Sequence, residues 1–254
     1  MNTQTSPTSH PVILTIAGSD PCSGAGLQAD IRVAHAIGCY ATNIVTAITS
    51  QSTQGVADVW PLTPTQILAQ GNILLNDVAP KSIKIGMLAN DDVASAVYAV
   101  LKHSGCTTIV ADTILSATSG KALFDDHSTK AFCKILDSAS AITPNLPEAK
   151  TLLNGADCEP EEIPLMLSRK FNGVSVYLKG GHGDGAMLTD YFYNSHTGRL
   201  LSLSSARIDT QNTHGTGCCL STALASYLAL GYSLDEAARN AHDFTHRALE
   251  RGRD

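Results

Sequence analysis

Short apolar runs alternate with amphipathic segments along most of the chain. Continuous apolar runs predict buried strands, and apolar residues at helical spacing predict helices. The predicted strands are residues 12–17, 41–49, 83–87, 108–111, 141–143 and 175–179, followed by three short strands of antiparallel type at 186–189, 191–193 and 200–203. The predicted helices are residues 27–37, 64–78, 91–101, 128–136, 146–153, 161–171, 215–230 and 234–249.

This alternation predicts an α/β fold with a mainly parallel sheet and helices on both faces. Residues 1–11 carry no charged segment and no long apolar run, so we interpret them as a flexible leader rather than a signal peptide. Because no Pro-, Gly- or Ser-rich linker divides the rest, we expect residues 12–254 to form a single domain. Ligands bind beyond the carboxyl ends of the strands in such sheets, so motifs at those ends are candidates for a site.

Composition and charge exclude several classes of protein. The chain has 254 residues and a net charge of −6 without a basic stripe, so we expect no nucleic-acid partner. No uninterrupted apolar window is long enough to cross a membrane, and we expect no membrane association. The seven cysteines are odd in number and lack a C-x-x-C pair. That pattern argues against a disulfide framework or a zinc cluster and favours the cytoplasm.

A first glycine-rich loop follows the first predicted strand. Its Gly24-x-Gly26-x-x-Ala29 spacing matches a dinucleotide-binding fingerprint formally, but no acidic residue stands between Asp30 and Asp58 to hold a ribose. Two interpretations remain for this loop. One is a plain turn whose glycines permit positive φ angles. We favour the other, a substrate loop in which Asp30 offers its carboxylate to a polar ligand.

A second glycine-rich loop leads into the helix predicted from residue 215. Gly215 and Gly217 would leave backbone N–H groups uncovered at a helix N-terminus, which favours an anion site. Cys218 would lie in the first helical turn, where the pKa of a thiol falls. The alternative is a threonine-capped helix in which Cys218 packs as a small apolar side chain. The loop sequence supports both interpretations equally.

Further polar residues stand at the ends of predicted strands. Asp112 follows the strand at 108–111, and Lys179 ends the strand at 175–179, where it would contact phosphate or solvent. Asn145 and Glu148 fit a capping box at the start of a helix and equally a magnesium site. The sequence lacks the Walker phosphate loop, the zinc-protease motif and the hydrolase nucleophile elbow.

Six motif blocks follow one another in order. They are TIAGSD at 15–20, GAGLQAD at 24–30, KIGML at 84–88, TPNLPEA at 143–149, LKGGH at 178–182 and NTHGTGC at 212–218. Together they resemble the hydroxymethylpyrimidine/phosphomethylpyrimidine kinases, a thiamine-pathway family of the ribokinase-like superfamily. The resemblance implies a three-layer α/β/α fold with a small β extension or lid. It also implies transfer of a phosphoryl group from MgATP to the hydroxymethyl group of a pyrimidine, and then to its monophosphate.

The resemblance also implies roles for individual residues. The implied pyrimidine contacts are Gly18, Asp30, Gln51, Met87, Ile114 and Cys218. The implied catalytic residues are Gly215, Thr216 and Gly217, which form an anion hole, and Cys218, whose thiolate accepts the hydroxyl proton. The implied nucleotide contacts are Asp112, Asn145 and Lys179, and the implied Mg²⁺ ligands are Asp112 and Glu148. Members of the superfamily commonly form homodimers, so we expect one here.

Two alternatives stay open beside the pyrimidine kinase. The first is a pyridoxine or pyridoxal kinase, against which the amide of Gln51 argues because it matches an aminopyrimidine edge. The second is a catalytically weak pyrimidine-binding regulator. Thr118 and Lys121 depart from the family pattern and the C-terminal end is short, and these departures motivate that second alternative.

Overall fold

The predicted strands enter one sheet in the computed structural model, which describes residues 10–115, 129–180, 185–210 and 213–252. The described strands are β1 (Val12–Ser19), β2 (Tyr40–Ser52), β3 (Gly55–Pro61), β4 (Ser82–Ile85), β5 (Ile109–Ala111), β6 (Ala141–Ile142), β7 (Ser175–Leu178), β8 (Met187–Asn194) and β9 (Arg199–Ala206). Their order across the sheet is β3-β2-β1-β4-β5-β6-β7-β8-β9. The six adjacent strands β2, β1, β4, β5, β6 and β7 are parallel to one another. At the two edges of the sheet, β3 pairs antiparallel with β2, and β8 pairs antiparallel with β7 and β9.

Helices cover both faces of this sheet. The described helices are α1 (Gly26–Ile37), α2 (Pro64–Asp77), α3 (Asp91–Ser104), α4 (Thr129–Ser138), α5 (Leu146–Leu152), α6 (Ile163–Lys170), α7 (Thr216–Ala229) and α8 (Leu234–Arg251). Successive strand residues point to opposite faces, so Ile109 packs in the core under α2 to α6 while Val110 packs under α7 and α8. The predicted three-layer α/β/α architecture is therefore confirmed.

The differences from the predicted elements lie mainly at their ends. The two strands predicted at 186–189 and 191–193 form the single strand β8, because β8 pairs without interruption along β9 from Met187 to Asn194. The edge segment Gly55–Pro61 forms a strand against β2 and supplies the expected β extension. The expected leader lies outside the described residues for its first nine positions. Within the described ranges, we find no helix with the length and apolar character that a membrane span requires.

Candidate active site

A cavity of about 700 Å³ opens at the carboxyl edge of the parallel strands. It is lined by strand ends, by both glycine-rich loops and by the C-terminal helix α8. Twelve of the thirteen residues singled out in the sequence line it: Gly18, Gln51, Met87, Asp112, Ile114, Asn145, Glu148, Lys179, Gly215, Thr216, Gly217 and Cys218. The topology thus brings together residues from one end of the chain to the other.

Asp30 is the exception, because its side chain does not line the cavity, and its contact with substrate stays a prediction. Its side chain is fully buried, where it forms an ion pair with the equally buried Lys84 at 2.8 Å. The hydroxyl groups of Thr15 and Thr222 also donate to the Asp30 carboxylate. Burial alone would lower the pKa of Lys84, but the charges of Asp30, Cys218 and Asp112 together with the hydrogen bond to Asp30 raise it. Both carboxylate oxygens are therefore engaged inside the protein.

The acidic residue of the first loop that does line the cavity is Asp20. Its Oδ1 accepts from the backbone N–H of Cys22 and its Oδ2 from that of Ala25, each at 2.8 Å. These bonds fold the loop around its own carboxylate, as aspartate at a turn commonly does. The sequence contained this signal in the Asp20-Pro21 pair, but the motif spacing drew attention to Asp30 instead.

The two glycine-rich loops touch each other. Gly215 has a φ of +82°, and a Cβ there would lie 1.9 Å from the carbonyl oxygen of Gly24. The ring of His214 also packs against Gly24, so closely that a Cβ on Gly24 would lie 2.3 Å from its Cδ2. Nε2 of His214 lies 3.1 Å from Oδ2 of Asp20. Glycine is required at position 215 because this backbone conformation and this close approach both exclude a side chain.

The second loop ends in the N-terminus of α7, as expected. Gly215 is the N-cap residue and no side chain caps the helix, while the hydroxyl of Thr216 donates back to the carbonyl of Thr213 at 2.6 Å. A Cβ on Gly217 would lie 3.3 Å from Nζ of Lys179 and 3.6 Å from Oδ2 of Asp112. The start of α7, the lysine and the aspartate therefore face one small space, although the backbone N–H of Thr216 itself donates to the carbonyl of Thr213 at 3.2 Å.

Cys218 lies in the first turn of α7 and is 6% exposed. Burial raises the pKa of its thiol to about 11, and the charge of Lys84 offsets only part of that effect. The predicted lowering of this pKa is therefore wrong, because removal from water outweighs the favourable position at the helix start. The thiol is protonated at neutral pH.

Lys179, Asp112 and Glu148 form a charged cluster at the ends of β5, β7 and the start of α5. Nζ of Lys179 lies 3.0 Å from Asp112 and 3.8 Å from Glu148. Burial would raise the pKa of Asp112, but Lys179, Lys84 and hydrogen bonds from Lys179 and Thr143 lower it. Burial raises the pKa of Glu148, and the charge of Asp112 adds to that rise. Of the two residues, Asp112 is the more firmly ionised.

Such a cluster beside a helix N-terminus suits a negatively charged ligand that carries phosphate. A family model described as phosphomethylpyrimidine kinase matches residues 20–254 of the chain. This chain belongs to the phosphomethylpyrimidine kinase family.

Individual relatives agree with this assignment. The hydroxymethylpyrimidine/phosphomethylpyrimidine kinase of Escherichia coli is 38% identical over 217 residues, which cover 84% of this chain and 81% of the relative. The enzyme of the same name from Salmonella typhimurium is 36% identical over 240 residues, 93% of this chain and 90% of the relative.

Solved structures of similar proteins share the fold. The phosphomethylpyrimidine kinase of Clostridium difficile superposes with a TM-score of 0.78 at 31% identity, over 94% of this chain and 99% of that one. The pyridoxal kinase of Staphylococcus aureus in complex with AMP-PCP and pyridoxal gives 0.83 at 29% identity, over 95% and 88%. The solved structures that share this fold therefore include kinases named for two different substrates.

The pair Asn145 and Glu148 forms one of the two arrangements predicted for it, the capping box, while the magnesium site stays a prediction. The Asn145 side chain accepts from the backbone N–H of Glu148 at 2.8 Å, and Oε2 of Glu148 accepts from the backbone N–H of Asn145 at 2.9 Å. The pair is thus a complete capping box for α5. Both side chains also line the cavity of this family member.

The donor set near Lys179 fits a magnesium ion only in company with other ligands. Across the described ranges, no three His, Cys, Asp or Glu side chains are grouped so that they could hold a metal by themselves. Asp112 and Glu148 supply two carboxylates. Mg²⁺ is commonly held by one or two carboxylates together with water and the phosphates of a substrate, so the residues present fit that mode of binding.

A partly buried network next to Lys179 was missed in the sequence. Tyr177 donates to Oδ2 of Asp190 at 2.8 Å, and Nδ1 of His242 lies 3.1 Å from the same oxygen. Oδ1 of Asp190 accepts from the backbone N–H of Gly180, the residue after Lys179, at 2.6 Å. No motif spacing reveals this network, because the antiparallel pairing of β7 with β8 and the packing of α8 create it.

Some residues considered in the sequence lie outside the described residues. They are Thr118 and Lys121, and Gly181, His182 and Asn212 of the motif blocks.

Proposed function

We propose that this chain is an ATP-dependent kinase of thiamine biosynthesis. It would phosphorylate 4-amino-5-hydroxymethyl-2-methylpyrimidine and then convert the monophosphate to the diphosphate. The observation that carries the proposal is the convergence of the α7 N-terminus, Lys179 and Asp112 on one space at the cavity of a phosphomethylpyrimidine kinase family member. Phosphoryl transfer depends on positioning and charge neutralisation, and these groups are suited to both.

The transferred phosphoryl group is assigned to the start of α7. There, Gly215, Thr216 and Gly217 would donate backbone N–H groups to its oxygens, which carry charge as the bond to the nucleotide breaks. Lys179 would contact the nucleotide phosphates from the opposite side, with Asn145 and Asp112 beside it. Bound Mg²⁺ would neutralise phosphate charge, and Asp112 and Glu148 are the side chains suited to hold it and its waters.

The pyrimidine is assigned to the wall formed by Gly18, Gln51, Met87, Ile114 and Cys218. Met87 and Ile114 offer apolar contact for the ring, and the Gln51 amide offers a donor and an acceptor for a ring nitrogen and an amino group. Cys218 would accept the hydroxyl proton only as a thiolate, and its raised pKa leaves a small fraction of the protein in that form at neutral pH.

A turnover assay with ATP and Mg²⁺ tests the proposal. Hydroxymethylpyrimidine, its monophosphate and pyridoxine are offered separately and products are identified by mass. We expect phosphorylation of both pyrimidines and little of pyridoxine. Turnover of pyridoxine alone would instead support a pyridoxine kinase, and binding of the pyrimidine without turnover would support a regulator. The exposed His35→Ala variant serves as a preparation control.

Three further features belong to this proposal. The chain would act in the cytoplasm, without a nucleic-acid partner, in keeping with its net charge of −6. It would form a homodimer through the β2–β3 extension. There the cross-strand pair Ile48 and Trp60 is 54% and 53% exposed. Sedimentation analysis of the wild type and of Trp60→Glu tests this, since a monomeric wild type would exclude the dimer.

A further inference from the structure

Three polar side chains from distant parts of the chain meet at one side of the cavity. Nε2 of His214 lies 3.1 Å from Oδ2 of Asp20 and 3.0 Å from Nε2 of Gln51. All three residues line the cavity. Asp20 and His214 have no part in the function proposed above, although His214 contacts the residue assigned to read the pyrimidine.

Nε2 of His214 cannot form a hydrogen bond with both Asp20 and the Gln51 NH₂ group at once. Burial would raise the pKa of Asp20, but hydrogen bonds from Ala25, His214 and Cys22 lower it, so the group is a carboxylate that only accepts. The Gln51 Nε2 group only donates. If His214 Nε2 carries its hydrogen toward Asp20, it has no lone pair left for the Gln51 amide.

A second conflict lies at the other end of the same amide. Oγ1 of Thr49 lies 2.9 Å from the carbonyl oxygen of Ser19 and 3.3 Å from Oε1 of Gln51. A hydroxyl has one hydrogen, and both neighbours are acceptors. A half-turn of the Gln51 amide removes both conflicts. Its oxygen then faces the His214 N–H, its NH₂ group donates to Thr49, and Thr49 donates to Ser19.

The half-turn exchanges the donor and the acceptor that Gln51 offers to a ligand. The ring of His214 is well placed to control the orientation of the Gln51 amide, because the ring packs closely against Gly24. A Cβ on Gly24 would lie only 2.3 Å from Cδ2 of His214. The ring is thus held between the first loop and the Gln51 amide. We propose that His214, fixed by Asp20, is a specificity-determining positioning residue that sets the orientation of the Gln51 amide and thereby the heterocycle that the site accepts.

This inference rests on the proposed function, because it assigns Gln51 to the pyrimidine. An aminopyrimidine presents a ring nitrogen next to an amino donor, so only one order of donor and acceptor on Gln51 matches it. A pyridine with a hydroxyl group can rotate that hydroxyl and is less sensitive to the order. Loss of His214 should therefore weaken pyrimidine binding more than pyridoxine binding.

The test compares dissociation constants for hydroxymethylpyrimidine and pyridoxine, measured by calorimetry without nucleotide. The proteins are the wild type, His214→Ala, Gln51→Ala, the double variant and the His35→Ala control. In each single variant we expect the preference for pyrimidine to fall about fivefold to tenfold, the value of one hydrogen bond. In the double variant we expect no further fall, because both changes remove one coupled contact.

The outcomes separate this inference from the proposed function. A preference that is unchanged in His214→Ala, or losses that add in the double variant, would overturn the inference while wild-type turnover of pyrimidine keeps the proposed function intact. A wild type that neither binds nor phosphorylates the pyrimidine would overturn both. Thr49→Val gives a second measurement without touching His214, and it should shift the preference in the same direction, because the turned amide loses its acceptor.

Discussion

Nζ of Lys179 lies 3.0 Å from Oδ1 of Asp112, although the two residues are 67 positions apart in the sequence. The parallel order of β5, β6 and β7 brings them together, because all three strands end at the same edge. The backbone N–H of Lys179 also donates to the carbonyl of Pro144 at 2.8 Å, so the chain that carries the lysine is fixed next to α5. The cation is thus held in place before any ligand arrives.

Replacing Lys179 should impair activity and weaken the dependence of stability on pH. We expect Lys179→Met to lower kcat/KM by about a hundredfold to a thousandfold, as loss of a charge-stabilising donor does in other enzymes. Lys179 contributes to the lowered pKa of Asp112, whose ordinary value is 3.8. The ionised carboxylate therefore stabilises the fold above that value, and this contribution is lost as pH falls through the lower folded pKa.

In the variant the folded pKa of Asp112 rises, so Asp112 contributes less stability at neutral pH and less of it is lost as pH falls than in the wild type. Thermal unfolding between pH 3 and 7 measures this, and Lys150→Met on the exposed face of α5 is the matched control. Equal pH profiles for Lys179→Met and wild type would contradict the assigned ion pair.

Gly217 and Gly215 should respond differently to alanine. Gly217 is helical, and its added methyl would occupy the space in front of Lys179 and Asp112 without meeting backbone. We therefore expect Gly217→Ala to raise the KM for ATP and lower kcat at nearly unchanged stability. Gly215→Ala should cost at least about 1–3 kcal/mol of unfolding free energy, because of its positive φ and its contact with Gly24.

Gly105→Ala separates the two causes in Gly215→Ala. Gly105 also has a positive φ, +61°, but a Cβ there meets nothing within 4 Å. Its cost in urea unfolding is that of backbone strain alone, and the excess in Gly215→Ala is that of the contact between the loops. A Gly217→Ala enzyme with wild-type kinetics would show that phosphate does not bind at the start of α7.

Most of the fold could be predicted because buried parallel strands leave long apolar runs in the sequence. The cavity residues followed, since Asp112 and Lys179 stand directly after such runs. Burial could not be predicted in the same way. Asp30 and Cys218 occur in motif blocks of the kind that usually contact ligands, yet the packing of α7 against α1 and β4 removes Asp30 from the cavity and dehydrates Cys218. The position of Asp190 next to Lys179 likewise could not be predicted, because it depends on the antiparallel pairing of β7 with β8.

The raised pKa of Cys218 predicts slow alkylation. With a pKa of about 11, roughly one thiol in three thousand is ionised at pH 7.5. The rate of modification by iodoacetamide, followed by mass spectrometry of the Cys218 peptide, should still rise about tenfold per pH unit between pH 7 and 9. Limited access would slow the reaction at every pH but would leave this slope. A rate that levels off near pH 7 would instead show a thiol with a lowered pKa.

The buried pair Asp30 and Lys84 should matter for stability rather than for substrate binding. Lys84→Met would leave the Asp30 carboxylate buried without a cation, and we expect a loss of about 3–5 kcal/mol. Asp30→Asn combined with Lys84→Met should recover much of it, because no buried charge then remains. Urea unfolding measures these changes, with the exposed Lys81→Met as control. If Asp30→Asn weakened pyrimidine binding in calorimetry while its stability stayed intact, Asp30 would be a substrate contact after all.

Asp190 should act on ATP through Lys179. Its carboxylate binds the backbone N–H of Gly180, and a Cβ on Gly180 would lie 1.8 Å from the carbonyl oxygen of Thr189, so this strand end is held against β8 on two sides. The pKa of Tyr177 is raised by burial and by the charge of Asp190, so the phenol keeps the hydrogen that it donates.

We expect Asp190→Ala to raise the KM for ATP about tenfold, with the pyrimidine KM unchanged, because one charge-assisted hydrogen bond no longer fixes Lys179. Asp190→Asn should restore part of the ATP affinity, since its amide oxygen can still accept from Gly180, whereas the exposed Asp58→Asn should change neither constant. An equal rise in both KM values, without rescue by asparagine, would mean that Asp190 supports only the general fold of β8.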